Sequence, residues 1–287
     1  MATENFVEYS LLSSISSVED FLKINFHCSS SKLKKYFDKA FLKRSLKEHS
    51  TLCLPLNFVN DGAINPGYEG PPIEIIYEDD TFLVMDKPQN LFVHPLLYDE
   101  KNNCLSFLRK NRCSILNINL QNYDRGLLYR LDFETSGVLV YIKNETEYLN
   151  LRQNFKNIAK RKRYYCLVEG ECKLDGVFTH YFSSRGVKGK RVVVSANETQ
   201  GERGELTLSS QSYDPITRTT LIIVDLKTGL RHQIRAQLAY LGFPLRGDLF
   251  YGGNAAHRLY LHAFEYEINF SKKNYLFQAK LKEFNGL

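Results

Sequence analysis

The chain has 287 residues, of which 43% are hydrophobic and 24% are charged, so it can bury a substantial core and is not disordered along its whole length. No apolar run approaches the ~20 residues that span a bilayer, and the acidic residues near the start argue against a secretory signal. The net charge of +6 permits binding to nucleic acid but does not require it.

The first 72 residues differ from the rest of the chain and are predicted to form an N-terminal extension. Residues 18–26 are predicted to form a short helix, and residues 31–42 a second helix that begins at a run of serines. The tripeptide Gly70-Pro71-Pro72 indicates a boundary, so residues 73–287 are predicted to form the main domain.

From residue 73 the chain consists mainly of short predicted strands. These lie at residues 73–77, 81–86, 138–142, 164–169, 191–195 and 220–226. Helices are predicted at residues 105–111, 145–158 and 231–241, and the last of these should bury Ile234, Leu238 and Leu241. Because strands outnumber helices without strict alternation, we predict an α+β fold with a mixed, largely antiparallel central sheet and flanking helices.

Cysteine and histidine spacing gives no sign of a metal site. The six cysteines include no Cys-x-x-Cys pair, and His94, His232 and His262 are not spaced like metal ligands. The sequence therefore predicts reduced thiols in a cytoplasmic protein and no structural zinc.

Basic residues concentrate in two clusters on either side of Tyr164 along the chain. The first comprises Lys156, Lys160, Arg161, Lys162 and Arg163, and the second comprises Arg185, Lys188, Lys190 and Arg191. A charged run is usually a solvated surface, but two such clusters on either side of a candidate active-site tyrosine favour RNA as a partner. Phosphate contacts of this kind supply affinity that is independent of sequence and weakens as salt rises.

The segment 128–137 carries the strongest chemical signal. Its sequence, Leu-Tyr-Arg-Leu-Asp-Phe-Glu-Thr-Ser-Gly, places Asp132 near Arg130 and directly before the apolar run at 138–142. A carboxylate presented at the start of a strand beside a cation can perform covalent or acid–base chemistry in a cleft. The alternative is a turn-capping aspartate beside a surface arginine, and this segment alone does not separate the two.

Two further segments follow, Lys-Arg-Tyr at 162–164 and Thr-Gly-Leu-Arg-His-Gln-Ile-Arg at 228–235. In content and order the three segments resemble the signature elements of the RluA-type RNA pseudouridine synthases, and the resemblance covers about residues 73–270. It implies a long central sheet with a cleft across its middle, and an enzyme that isomerises specific uridines in structured RNA, either rRNA or tRNA. Many members of the family carry a small RNA-binding module in this region, so residues 1–72 are either a degenerate form of that module or an extension that packs on the main domain.

The resemblance assigns the catalytic roles to Asp132, Tyr164 and Arg235. Asp132 is expected either to attack ribose C1′ as a nucleophile or to remove a proton from C2′, and both routes use the same carboxylate oxygens. Arg235 is expected to be its cationic partner, at the edge of a helix face that buries Ile234. Tyr164 is expected to stack on the uracil and to take part in proton transfer, while Tyr165 points to the opposite face of the strand.

The reaction involves no redox step and no external group, so neither a metal nor a cofactor is expected. Arg130 is expected to fill the space left by the flipped uridine, because a planar guanidinium can stack and donate hydrogen bonds there. Further contacts with the substrate are expected from Leu131, Thr135, Lys162, His232 and Gln233. Tyr129 and Leu230 stand where many members of the family have His and Arg, which leaves the RNA target open.

Two alternative functions are open at this level. The first is an RNA-binding protein without catalysis, against which the intact Asp132, Tyr164 and Arg235 argue. The second is a carbohydrate hydrolase that uses Asp132 and Glu134 as its carboxylate pair, although the basic clusters give no reason to expect a neutral glycan. In the favoured interpretation the protein is a monomeric RNA pseudouridine synthase that does not associate with membranes.

Overall fold

The computed structural model describes residues 6–26, 28–55, 58–59, 64–95, 100–119, 122, 124–185 and 191–281. The chain divides into two compact units. One contains residues 1–70 and 94–125, and the other contains residues 71–93 and 126–287. No sequence pattern predicted that residues 94–125 would group with the N-terminal segment, and the domain boundary near residue 72 stays a prediction.

The first unit combines a two-stranded sheet with short helices. Its elements are β1 (Phe6–Ser10), α1 (Val18–Phe26), α2 (Ser30–Leu33), α3 (Lys39–Leu42), β2 (Thr51–Pro55), α4 (Cys104–Asn111) and a 3-10 helix (Cys113–Asn117). β1 pairs with β2 in antiparallel fashion. Their core is apolar and includes Val18, Leu22, Phe26, Leu33, Leu42, Leu52, Leu54 and Phe58.

The helix predicted at 31–42 is wrong, because the structure has two short helices there. The Ser29 side chain caps α2 by accepting a hydrogen bond from the backbone of Lys32. Asp38 caps α3 in the same way, accepting from the backbone of Phe41. Asp38 has an extended backbone conformation, and its side chain accepts a hydrogen bond from the backbone N–H three residues later. This is the geometry of a helix N-cap, so a new helix begins here and the preceding one does not continue. The helix predicted at 18–26 is confirmed as α1.

The second unit is built on a ten-stranded sheet. Its strands are β3 (Glu74–Glu78), β4 (Phe82–Lys87), β5 (Ser136–Ile142), β6 (Ala159–Glu169), β7 (Gly176–Arg185), β8 (Arg191–Ser195), β9 (Glu202–Asp214), β10 (Thr219–Leu226), β11 (Leu261–Phe270) and β12 (Lys273–Gln278). They lie in the order β3-β4-β5-β11-β6-β10-β9-β7-β8, and β12 pairs with β11. The pair β5–β11 is parallel, while the other pairs in the sheet are antiparallel, which confirms the predicted fold class.

The described part of this unit also contains three α-helices, namely α5 (Glu145–Gln153), α6 (Phe155–Ile158) and α7 (Gln233–Tyr240), and a 3-10 helix (Glu198–Gln200). The single helix predicted at 145–158 is wrong, because it breaks at Asn154, which lies outside helical geometry between α5 and α6. α7 begins at Gln233, two residues later than predicted, because the backbone of His232 is left-handed with φ 50°. Leu241 is only half-buried, contrary to prediction. In the described ranges no helix is long and apolar enough to cross a membrane.

Candidate active site

The Asp132 loop enters β5 and is held by contacts on both sides. The backbone N–H of Thr135 donates to the Asp132 carbonyl at 3.2 Å, and that of Leu91 donates to the Phe133 carbonyl at 3.1 Å. The fully buried ammonium of Lys87 also donates to the Phe133 carbonyl, at 3.1 Å. These bonds fix the backbone carbonyls of Asp132 and Phe133, while the side chain of Asp132 is left 30% exposed.

Arg235, on α7, is a buried cation surrounded by three carboxylates. Its Nε and Nη2 donate to the two oxygens of Asp248 at 2.7 and 2.9 Å. Its Nη1 lies 3.3 Å from Oε2 of Glu134 and 3.6 Å from Oδ2 of Asp132. Burial lowers the pKa of Arg235, but the bonds to Asp248 and then the charges of Glu134 and Asp132 outweigh it, so the pKa rises above its ordinary value.

The sequence did not predict the part played by Asp248. The structure brings Asp132 and Arg235 together, but Asp248 binds the guanidinium at shorter range and through two bonds, as a fork-to-fork pair. The Asp248 side chain is completely buried. Asp248 follows Gly247 in the sequence, and nothing in that pair suggested a role for the carboxylate.

His232 connects the Asp132 carboxylate to the loop that follows α7. Its Nε2 lies 4.0 Å from Oδ2 of Asp132, and its Nδ1 lies 3.0 Å from the hydroxyl of Tyr251. The same hydroxyl accepts a hydrogen bond from the backbone of Val192 at 3.3 Å. Burial lowers the pKa of His232, an effect that Asp132 opposes and Arg235 reinforces, so the imidazole is neutral at neutral pH.

Tyr164 belongs to a group of three packed phenols. Its hydroxyl lies 2.6 Å from that of Tyr266 on β11, and the Tyr266 ring stacks on Tyr129 with centroids 4.2 Å apart. Burial, reinforced by the charge of Asp132 and opposed by the bond to Tyr266, raises the pKa of Tyr164, which is therefore protonated at neutral pH. Tyr165 stacks instead on Phe264, at 4.0 Å.

The residues expected to contact the substrate have different surroundings. Arg130 is exposed, whereas Leu131 and Thr135 are buried. Lys162 is also buried and donates to the Thr228 carbonyl at 3.1 Å, and burial lowers its pKa to about 8.

Gln233 is buried at the start of α7. Its side-chain oxygen accepts hydrogen bonds from the Thr228 hydroxyl at 2.8 Å and from the Leu230 backbone at 3.1 Å. Lys162 and Gln233 therefore both hold the 228–232 loop in place, and a direct contact of either with RNA stays a prediction.

The first basic cluster is partly neutralised within the sheet. Arg161 lies 3.6 Å from Glu267, and Arg163 lies 3.4 Å from Glu265, both across the β6–β11 pair. Of the second cluster, Lys188 and Lys190 lie outside the described residues. Among the described residues, no group of three or more His, Cys, Asp or Glu side chains is placed to hold a metal ion.

Comparison with known proteins identifies the family. The profile of the family described as RNA pseudouridylate synthase matches residues 81–240. The ribosomal large subunit pseudouridine synthase D of Borreliella burgdorferi is 32% identical over 213 residues, which cover 71% of this chain and 63% of that protein. An uncharacterized RNA pseudouridine synthase of Aquifex aeolicus is 35% identical over 188 residues, which cover 64% of this chain and 57% of that protein. The chain thus spans less than two thirds of the length of these relatives.

Solved structures show the same fold. Human RNA pseudouridylate synthase domain containing 1 aligns with a TM-score of 0.61 at 20% identity, covering 73% of this chain and 84% of that one. Human RNA pseudouridylate synthase domain containing 4 aligns with a TM-score of 0.53 at 19% identity, covering 73% and 89%. The profile match extends over more than half of the chain and includes the Asp132 loop, Tyr164 and Arg235. The chain therefore belongs to the RNA pseudouridylate synthase family, and to its RluA type.

Proposed function

We propose that this chain isomerises uridine to pseudouridine in structured RNA, with Asp132 as the reacting carboxylate. One observation carries the proposal: a carboxylate whose side chain is 30% exposed lies 3.6 Å from a buried guanidinium, inside the region that matches the family. Isomerisation breaks the bond between C1′ and N1 and forms one between C1′ and C5. The C5 proton leaves and N1 gains a proton, so no redox partner is needed.

Asp132 is placed for chemistry at the sugar. Its backbone is held by Thr135 and Lys87, so the carboxylate keeps its direction while its oxygens stay accessible. Attack on C1′ and removal of the C2′ proton both require such an oriented carboxylate. Arg235 supplies a positive charge on one side of it, and the rigid pair with Asp248 holds that charge in position.

Tyr164 and Arg130 complete the proposed machinery. The ring of Tyr164 provides a face against which the freed uracil can turn, and Tyr266 holds its hydroxyl at 2.6 Å. Because the target uridine must leave its stack before Asp132 reaches its sugar, the exposed Arg130 is placed to fill the vacancy. Both assignments follow the positions of these residues in the family's motifs.

Large-subunit ribosomal RNA is the substrate class that we put first. Relatives from Borreliella burgdorferi and Blochmanniella floridana are both named ribosomal large subunit pseudouridine synthase D. Transfer RNA is the alternative. A monomeric state and a cytoplasmic location stay predictions.

Tritium release tests the function directly, because forming the new bond at C5 expels the hydrogen there. Wild-type protein is expected to release tritium from [5-³H]uridine-labelled ribosomal RNA. Asp132→Asn should release none while retaining its affinity for RNA, because the amide keeps the shape but neither attacks C1′ nor accepts a proton. Lys227→Gln, which changes a lysine that is 45% exposed and pairs with Asp225, is the control and should be active.

Two results would count against the proposal. An active Asp132→Asn protein of verified mass would remove Asp132 from the chemistry. A wild-type protein that binds RNA but releases no tritium from ribosomal or transfer RNA would favour the inactive RNA-binding protein instead.

A further inference from the structure

The loop at 247–252 is held in place by buried hydrogen bonds and exposes apolar side chains to water. Asp248 binds Arg235 through two hydrogen bonds, and the Tyr251 hydroxyl binds Val192 and His232. Between these two anchors, the side chain of Leu249 is 71% exposed and that of Phe250 is 45% exposed. The loop is held at both of these residues and still exposes large apolar side chains to water. Such side chains form a surface that a ligand can cover.

A cation lies beside this exposed ring. The guanidinium carbon of Arg191, the first residue of β8, is 5.9 Å from the ring centroids of both Phe250 and Tyr251. The next residue, Val192, donates its backbone N–H to Tyr251, which fixes the start of β8 against the loop. Arg191 is itself exposed, so its charge is available to a ligand that approaches the ring.

The ring and the cation lie close to the proposed reaction centre. The centroid of Phe250 is 6.1 Å from that of His232, with the two rings nearly perpendicular at 87°. His232 in turn lies 4.0 Å from the Asp132 carboxylate. A single imidazole therefore separates Phe250 from Asp132.

We propose that Phe250 and Arg191 form a second nucleotide subsite, in which an unpaired base near the target uridine stacks on Phe250 and a phosphate pairs with Arg191. This rests on the function proposed above. An aromatic face beside an arginine matches the two parts of a nucleotide, a flat base and an anionic phosphate. Because paired bases hide their faces, the subsite selects RNA that is single-stranded next to its target.

Binding of two labelled ten-nucleotide RNA strands separates the base from the phosphate. One strand is oligouridine, and the other has the same sugar-phosphate chain without bases. Phe250→Ala should weaken the binding of oligouridine about 5- to 150-fold, the range that corresponds to the stacking of one base, and should leave the abasic strand unaffected. Phe250→Tyr keeps the ring and should bind both strands like the wild type.

Two further variants control for charge and for loss of apolar surface. Arg191→Gln should weaken the binding of both strands and reduce the slope of log K against log salt by about 0.7, the effect of one lost phosphate contact. Leu276→Ala removes an apolar side chain of similar exposure, 52%, from β12 without removing a ring, and should bind both strands like the wild type.

The subsite is refuted if Phe250→Ala binds oligouridine as tightly as the wild type, or loses the same factor on both strands. Tritium release keeps this outcome distinct from failure of the proposed function. Active wild-type protein whose oligouridine affinity and KM do not respond to Phe250→Ala rules out the subsite alone. Wild-type protein that releases no tritium rules out the proposed function, whatever the strands show.

Discussion

Removal of the Asp248 carboxylate tests whether the Arg235 cluster is organised as the structure indicates. Asp248 is completely buried and accepts two hydrogen bonds from Arg235 and one from the backbone of Tyr251, the last at 3.3 Å. Asp248→Ala therefore leaves a buried guanidinium without its bidentate partner. Among the described residues, the carboxylates that remain near it are those of the partly exposed Asp132 and Glu134, at 3.6 and 3.3 Å from Nη1.

The expected loss of stability follows from this geometry. Removing one partner of a buried ion pair costs about 3–5 kcal/mol, because the other charge stays buried. Asp132 and Glu134 lessen this cost, but water screens their charges, since their side chains are 30% and 41% exposed. We therefore expect Asp248→Ala to lower the free energy of unfolding by about 3 kcal/mol, the lower end of that range.

Urea unfolding measures this loss. The chain has no tryptophan, so far-UV circular dichroism and tyrosine fluorescence follow the transition, and their midpoints should coincide. Glu267→Ala is the matched control, because it removes a carboxylate 3.6 Å from Arg161, which is 42% exposed, and should cost at most about 1 kcal/mol. Arg235→Met combined with Asp248→Ala should be more stable than Asp248→Ala alone, because the unpaired buried charge is gone and the remaining carboxylates of Asp132 and Glu134 are partly exposed to water.

Tritium release provides a second test of the Asp248→Ala variant. Without Asp248, Arg235 is free to turn toward Asp132 and Glu134, so tritium release by the folded protein should slow more than RNA binding weakens. A stability loss equal to that of Glu267→Ala, or purely additive effects of the Arg235 and Asp248 substitutions, would refute the reasoning.

Two other perturbations follow from buried positions. Burial lowers the pKa of Lys162 to about 8 from 10.5, so between these pH values the unfolded chain binds more protons and this group makes the protein more stable as pH rises. The Lys162→Met variant should lack this rise in stability, which amounts to about 3 kcal/mol between pH 8 and 10.5. If the difference in stability between the variant and the wild type does not change with pH, the prediction is contradicted. At Gly137, φ is +117° and an added Cβ would lie 2.1 Å from the Ala263 carbonyl, so Gly137→Ala should prevent stable folding. Gly252→Ala has a similar φ of +94° but open space and should cost about 1 kcal/mol by thermal unfolding; equal costs would contradict the clash.

Sequence reasoning located the strands that are apolar along their whole length. β5 is buried at all seven positions, and the apolar run at 138–142 predicted it. The bounds of β8 match the prediction at 191–195. β9 was not predicted, because its thirteen residues alternate only weakly and its second half is largely exposed. β7, β11 and β12 were also not predicted, so the order of the sheet could not be derived.

Sequence motifs also located the candidate site, but they did not predict which residues contact each other within it. The Thr-Ser-Gly element at 135–137 runs into β5, and the sequence alone suggested no role for its glycine. In the structure Gly137 is needed because the Ala263 backbone of β11 passes where a side chain would be, in the parallel pair of β5 and β11. Asp248 shows the same limit, since a carboxylate thirteen positions after Arg235 has no helical or strand spacing that points to it.

The amino-acid sequence was sufficient to identify the family, the α+β class and the acid, phenol and guanidinium that we propose react with RNA, because these depend on residue types in short local patterns. Only the tertiary structure decided which carboxylate binds the guanidinium most closely, which phenols are hydrogen-bonded to each other and which aromatic ring is left exposed. Glu134 and Arg235 are 101 residues apart yet in contact. A contact between residues so far apart in the sequence is set by strand order and packing across the whole sheet, and no local sequence pattern encodes it.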